Sequence, residues 1–210
     1  MKTITIILII LVLAISQSFG GELDGGLHFL VSVPLGDFAD ISKTGIGLGG
    51  KLLYQVESTP WLHIRGDLGY LSYESSQRLI PGYGTQSVRN EGFQLTIGPQ
   101  VNSDINPFNV YIGAAFGFYY YQTVISYPDL AYYYGIPASD TKDSNACLGW
   151  NVGGGIMFDI GLGPLIDLGV KYSNIYNGAV YRQENKPTVK KNAQDIMITI
   201  GVVFSSKDKL

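Results

Sequence analysis

Six charged residues interrupt otherwise apolar runs of this chain: Lys51, Arg65, Asp67, Asp167, Lys171 and Asp195. The run "GPLIDLGVKY" (Gly163–Tyr172) shows the pattern. Ile166, Leu168, Val170 and Tyr172 alternate there with Asp167, Gly169 and Lys171. Strict alternation marks a strand with two chemically different faces, so the charges point away from the aliphatic side. Gathered in one narrow interior, such ions must pair across strands, because an isolated buried charge is costly. Two uses of the network are open. It is either a polar plug that fixes strand register, or a gated ion path in which opening swaps partners. Small barrel interiors are filled by side chains, which favours the plug.

His28 and His63 take the same parity as the charges. A catalytic or metal-binding histidine needs a carboxylate, hydroxyl or second ligand at short range; a structural hydrogen bond is the expectation for both. The chain has no G-x-S-x-G elbow and no H-E-x-x-H pair. "GIGLGG" (Gly45–Gly50) superficially looks like a phosphate loop, but a strand pattern follows it rather than a helix. No catalytic, cofactor-binding or metal-ligating residue is assigned, no cofactor is expected, and the chain is read as a non-enzyme.

The elements that must position these residues are strands. Eight alternating runs are predicted, spanning approximately 26–33, 44–57, 61–73, 91–103, 108–123, 145–160, 163–175 and 194–204. None of the connecting segments has the spacing of an amphipathic helix. After the second, fourth and sixth runs the connections are short: "STP", "DINP" and "GLG". After the first, third, fifth and seventh they are long: "PLGDFADISK", "ESSQRLIPGYGTQSVRN", "VISYPDLAYYYGIPASDTKD" and "YNGAVYRQENKPTVKKNA". Short turns at one end and long loops at the other are the habit of outer-membrane barrels.

The two faces can be told apart. Phe93, Leu95, Ile97 and Val101 oppose Gln94, Thr96, Gly98 and Gln100, and Ile196, Ile198, Ile200 and Val202 oppose Asp195, Met197, Thr199 and Gly201. The polar face also carries most strand glycines, including Gly47, Gly69, Gly113, Gly155 and Gly169. A water-facing surface gains nothing from glycine, whereas a tight lumen holding long side chains needs it. The charged, glycine-rich face is therefore read as the lumen and the aliphatic face as lipid-exposed. Aromatics support this. Tyr54, Phe108, Phe158 and Phe204 sit on the apolar face near the short turns, and Tyr70, Phe93, Phe118, Tyr120, Trp150 and Tyr172 near the long loops. The ten steps from Phe108 to Phe118 give about 25 Å of height at ~3.3 Å per residue and ~40° tilt, which matches an apolar band between two girdles.

Length and composition set the remaining limits. "MKTITIILIILVLAISQSFGG" has an early Lys2, an apolar run and small residues at Ser18 and Gly20, as in a secretory signal peptide. Residues 1–20 are assigned to that signal and 21–210 to one outer-membrane barrel domain. Among 210 residues there are 27 glycines, 15 tyrosines and a single cysteine, Cys147, so no intramolecular disulfide is expected. A net charge of −3 without a basic patch argues against nucleic acid as a partner.

On these features the chain resembles the small eight-stranded outer-membrane β-barrels, the family of the OmpA membrane domain, OmpX and the opacity-type, porin-like proteins. The resemblance rests on "VPLGDF" followed by "TGIGLGGKLLYQV", on glycine-punctuated strands, and on the last strand "DIMITIGVVF", with Phe204 followed by six more residues. It implies an all-β, eight-stranded antiparallel transmembrane barrel in a Gram-negative outer membrane, with periplasmic turns and extracellular loops. It also implies insertion by the barrel-assembly machinery and contact with outer-membrane lipids and lipopolysaccharide. The functional expectation is a structural or surface-interaction protein, engaged in adhesion or recognition through its loops. Tyr127, Tyr132, Tyr133 and Tyr134 form the densest tyrosine cluster and the candidate recognition loop for a surface ligand. The alternatives are a narrow porin-like channel and a lipid-modifying enzyme on the same scaffold.

Overall fold

The computed structural model describes residues 22–40, 42–74, 76–80, 84–105, 107–126, 141–159, 161, 163–181 and 189–204. Among the described residues nine strands run in chain order: β1 (Leu23–Leu35), β2 (Gly45–Gln55), β3 (Leu62–Tyr73), β4 (Ser76–Ile80), β5 (Gly84–Ile105), β6 (Phe108–Ser126), β7 (Thr141–Asp159), β8 (Leu165–Tyr181) and β9 (Val189–Phe204). The sheet order is β3-β2-β1-β9-β8-β7-β6-β5-β4, and an additional β3–β5 pairing closes the ring. All neighbours are antiparallel. Because β4 pairs only with the first residues of β5, the barrel has eight strands and β4 is an appendage on its loop side.

Closure satisfies the backbone without leaving an edge in the apolar band. The β5–β6 ladder skips Gly98 and Pro99, as expected where proline brings no N–H. At Gly98 a side chain would run into the Ala114 carbonyl, so the two strands stay in close approach across the gap.

The alternation sorts residues as read from the sequence. Leu48, Leu68, Leu95, Ile97, Ile112, Val170, Ile198 and Ile200 are all exposed on the outside, while Arg65 and Asp167 are 0% exposed. A water-soluble barrel has the reverse order, so the outer face is built for lipid and the barrel is a transmembrane one. Phe108 and Phe158 meet edge to face at 6.1 Å on the turn side. Trp150 and Tyr172 lie 5.7 Å apart on the loop side. Trp61, which the two-girdle reading omits, stands 55% exposed beside the β2–β3 turn.

The loop side differs from the sequence expectation. Much of the three largest predicted loops is strand: β4 and the start of β5 form a hairpin, β6 continues to Ser126, and β8 and β9 continue to Tyr181 and from Val189. These extensions hold β-branched residues such as Val88, Thr123, Val124 and Val189, which favour strand. Beyond the membrane, however, both faces can meet water. The apolar alternation fades there although the ladder continues. Asn177, at φ +56°, lies within a bulge between Ile175 and Ala179 where the β8–β9 register shifts.

Candidate functional site

The inward side chains form stacked layers. On the turn side, Leu53, Tyr111, Met157 and Val203 make an apolar floor, with Leu165 packed against it. On the loop side lies a larger cluster that includes Leu30, Phe38, Tyr73, Tyr121 and Met197. Phe38 comes from a short 3-10 turn, Gly36–Asp40, and is 2% exposed. Its ring meets Tyr73 at 5.4 Å and Tyr121 at 5.6 Å, both edge to face. The expected loop "PLGDFADISK" thus sends an aromatic stopper into the barrel mouth. Ser42 just beyond it accepts from Asn90 Nδ2 at 2.8 Å, and Asn90 Oδ1 accepts from Thr123 at 2.7 Å.

Between floor and stopper lie the six predicted charges, all buried. Their ion pairs fall into two clusters. In the first cluster, Asp167 pairs with Lys51. It also contacts His28 Nε2 at 2.8 Å and accepts from the Tyr111 hydroxyl at 2.7 Å. The Lys51 ammonium lies 4.6 Å from the centre of the Tyr111 ring, a cation–π contact. In the second cluster, Asp67 contacts Arg65 Nε at 2.9 Å and Lys171 Nζ at 2.9 Å. Arg65 also donates to Asn151 Oδ1 at 2.9 Å.

Among the described residues no ion pair joins Asp195 to either cluster, against the expectation that all six ions pair. Its Oδ2 accepts from Ser32 Oγ at 2.6 Å, and no salt bridge joins it to a cation among the described residues. Ser32 lies at the loop-side end of the polar layer, against Tyr73 at 3.4 Å.

Glycines give these groups room. A Cβ at Gly169 would fall 2.5 Å from the Tyr111 hydroxyl and 2.7 Å from Thr199 Oγ1, and one at Gly113 would fall 3.1 Å from Arg65 Nη1. Gly113 and Gly169 thus make room for buried side chains, while at Gly47, Gly98 and Gly117 a Cβ would meet the backbone of the neighbouring strand.

His28, Tyr111, Asn151 and Phe38 are parts of this interior that the charge pattern alone does not name. Inward parity marks the first three; Phe38 lies off any strand and carries no such signal. His63 is buried too. Tyr127, Tyr132, Tyr133 and Tyr134 lie outside the described residues, as do residues 1–20. Among the described residues no group of histidine, cysteine and carboxylates could hold a metal.

Chemically, the arrangement holds ions in place. Arg65, Gln100 and Asp167 have no accessible surface, and the two charge clusters lie between the apolar floor and the loop-side cluster.

No family model and no curated protein matches the chain. Among solved structures, it is similar to Ail, the attachment invasion locus protein of Yersinia pestis, in complex with the heparin analogue sucrose octasulfate. That likeness is at 15% identity, covers 88% of this chain and 99% of that one, and has a TM-score of 0.52. It is also similar to Neisserial surface protein A, at 14% identity over 88% of this chain and 96% of that one, with a TM-score of 0.50. At such identities the likeness establishes the fold: a small eight-stranded barrel of the outer-membrane type.

Proposed function

We propose that this chain is an integral outer-membrane protein that acts without catalysis, as a sealed barrel presenting a recognition surface on its loop side. The observation that carries this reading is the height of the strands above the lipid-facing belt. The outward aliphatic series of β5 stops at Phe93, yet the strand begins at Gly84. The eight steps from Gly92 to Gly84 correspond to about 20 Å of rise at ~3.3 Å per residue and ~40° tilt. A scaffold with only a membrane role has no use for a sheet that tall. Ail, described as an attachment invasion protein, has the same fold; adhesion by this chain rests on that analogy and on the raised rim.

In this reading, barrel-assembly machinery inserts the chain and lipopolysaccharide surrounds it. The narrow-channel alternative is disfavoured by the apolar floor, the Phe38 stopper and the filled polar layers between them.

The test is adhesion of Gram-negative cells expressing the full chain to surfaces coated with extracellular-matrix proteins or glycans. Deleting residues 127–137 or 76–84 is expected to abolish the added adhesion while the protein still changes gel mobility on boiling. Equal adhesion of cells with and without the protein would remove the recognition reading. A change in lipid A mass on expression, lost in His63→Ala, would replace it with the enzyme reading. Stepwise bilayer conductance that changes in Asp167→Asn would replace it with a channel.

A further inference from the structure

At the loop-side rim, where β1 ends and β9 leaves the aliphatic belt, there is an open pocket of about 520 Å³ lined by Gly36, Asp37, Lys191, Asn192 and Gln194. Four of these five residues carry hydrogen-bonding ends of three kinds: a carboxylate, an ammonium and two primary amides. Their formal charges cancel. The Asp37–Lys191 contact at 2.9 Å joins side chains that are each nearly half exposed. Such a pair holds only weakly against water and can exchange partners with a ligand. Asn192 Oδ1 accepts from the Asn177 backbone N–H at 3.2 Å. This fixes the amide orientation and leaves its NH2 to donate elsewhere. At Gly36 (φ +53°), a Cβ would sit 3.6 Å from Gln194 Oε1 and narrow the opening. Tyr176, one residue before Asn177, is 48% exposed and offers an aromatic ring on the adjoining strand.

From this chemistry and its position we infer a binding site for a neutral saccharide. Each sugar hydroxyl both donates and accepts. A carboxylate takes two hydroxyl protons, an amide serves both roles at once, and an aromatic ring covers the C–H face of a pyranose. A sulfated or phosphorylated ligand is a poorer match, because Asp37 offsets the one lysine. The height is that of a headgroup layer. On β9 the outward residues change from Ile200, Ile198 and Ile196 to Gln194 and Asn192, and on β8 from Val170 and Tyr172 to Asn174. The polar pocket begins where the hydrocarbon band ends. Its sugar comes either from the glycolipid of the surrounding leaflet or from an external glycan, and the chemistry recognised is the same.

This site deepens the surface-recognition reading and rests on it for orientation, with the loop side outward. The experiment is titration of the full-length barrel, refolded in detergent, with two probes. One is the neutral outer-core oligosaccharide of lipopolysaccharide, freed of Kdo and phosphate; the other is a neutral oligosaccharide panel that includes lactose and maltotriose, and binding is read from amide chemical shifts. Saturable shifts at Asn192 and Gln194 are expected, with affinity reduced at least tenfold in Asp37→Asn and in Asn192→Ala. Glu91→Gln, at the rim but outside the pocket, is expected to leave affinity unchanged. Response to core oligosaccharide alone assigns the leaflet glycolipid as the source, and response to the panel assigns an external glycan. Absence of saturation with both probes overturns the site, as does equal affinity in all three variants. Heat-modifiable migration and cell adhesion are read in parallel, so loss of the saccharide site is distinguishable from failure of the outer-membrane reading.

Discussion

Removing the carboxylate of Asp167 tests the interior most sharply. The group has no accessible surface, accepts from Tyr111 at 2.7 Å, touches His28 at 2.8 Å and pairs with Lys51. In Asp167→Leu the Lys51 ammonium, 2% exposed in the parent, keeps the Tyr111 ring at 4.6 Å and hydroxyl at 3.4 Å but loses its direct ion-pair partner. Breaking a buried pair from one side costs about 3–5 kcal/mol, and the cation–π contact was already present, so it offsets none of the loss. Adding Lys51→Met removes the stranded charge. Replacing a buried pair by apolar groups of similar size is close to neutral, so the double variant is expected within about 1 kcal/mol of the parent. The coupling between the two sites is then about 3 kcal/mol or more, at the upper end for contacting residues. The assay is reversible urea unfolding in lipid vesicles, followed by the fluorescence of Trp61 and Trp150 and by gel mobility without boiling. A loss below about 1 kcal/mol in Asp167→Leu would refute the reasoning, as would a double variant no more stable than the single one.

Ile198→Arg, on the lipid face of β9, is expected to cost about 2–4 kcal/mol in vesicles; a neutral or stabilising result would mean that this face meets water. Gly169→Val drives a side chain into Tyr111 and Thr199 and is expected to lose about 1–3 kcal/mol. Gly66→Ala, whose Cβ meets nothing within 4 Å, serves as the neutral comparison in the same urea series. Phe38→Ala removes a ring packed between two tyrosines and is expected to destabilise by about 3 kcal/mol. It should still give no conductance in planar bilayers, because the charge clusters and the Leu53–Met157 floor remain; conductance in this variant would show that Phe38 alone seals the barrel.

Legibility differed between the two faces of the strands and among the charges. Inside against outside could be read residue by residue, because a strand's side chains alternate whatever surrounds it. One ion pair was also within reach of the sequence: Arg65 and Asp67 are two apart on β3, on the same face, and they do meet. The other partners were not. Lys51 stands opposite Asp67 in the β2–β3 ladder, the pairing a local rule would choose, yet its ammonium goes to Asp167 on β8. Lys171 instead crosses from β8 to Asp67 on β3.

The sequence by itself determined an all-β chain, the strand that each run forms, the lipid-facing side and the glycine-lined interior. All of these follow from the two-residue period and from which residue types tolerate lipid. Only the tertiary structure decided which ions meet, that Asp195 has no cation among the described residues, that Phe38 stoppers the mouth, and that Asp37 and Gln194 share a pocket. Those facts depend on how the strands stagger as the sheet closes and on a turn folding back into the barrel. Closure joins residues more than a hundred positions apart, and no local pattern encodes that distance.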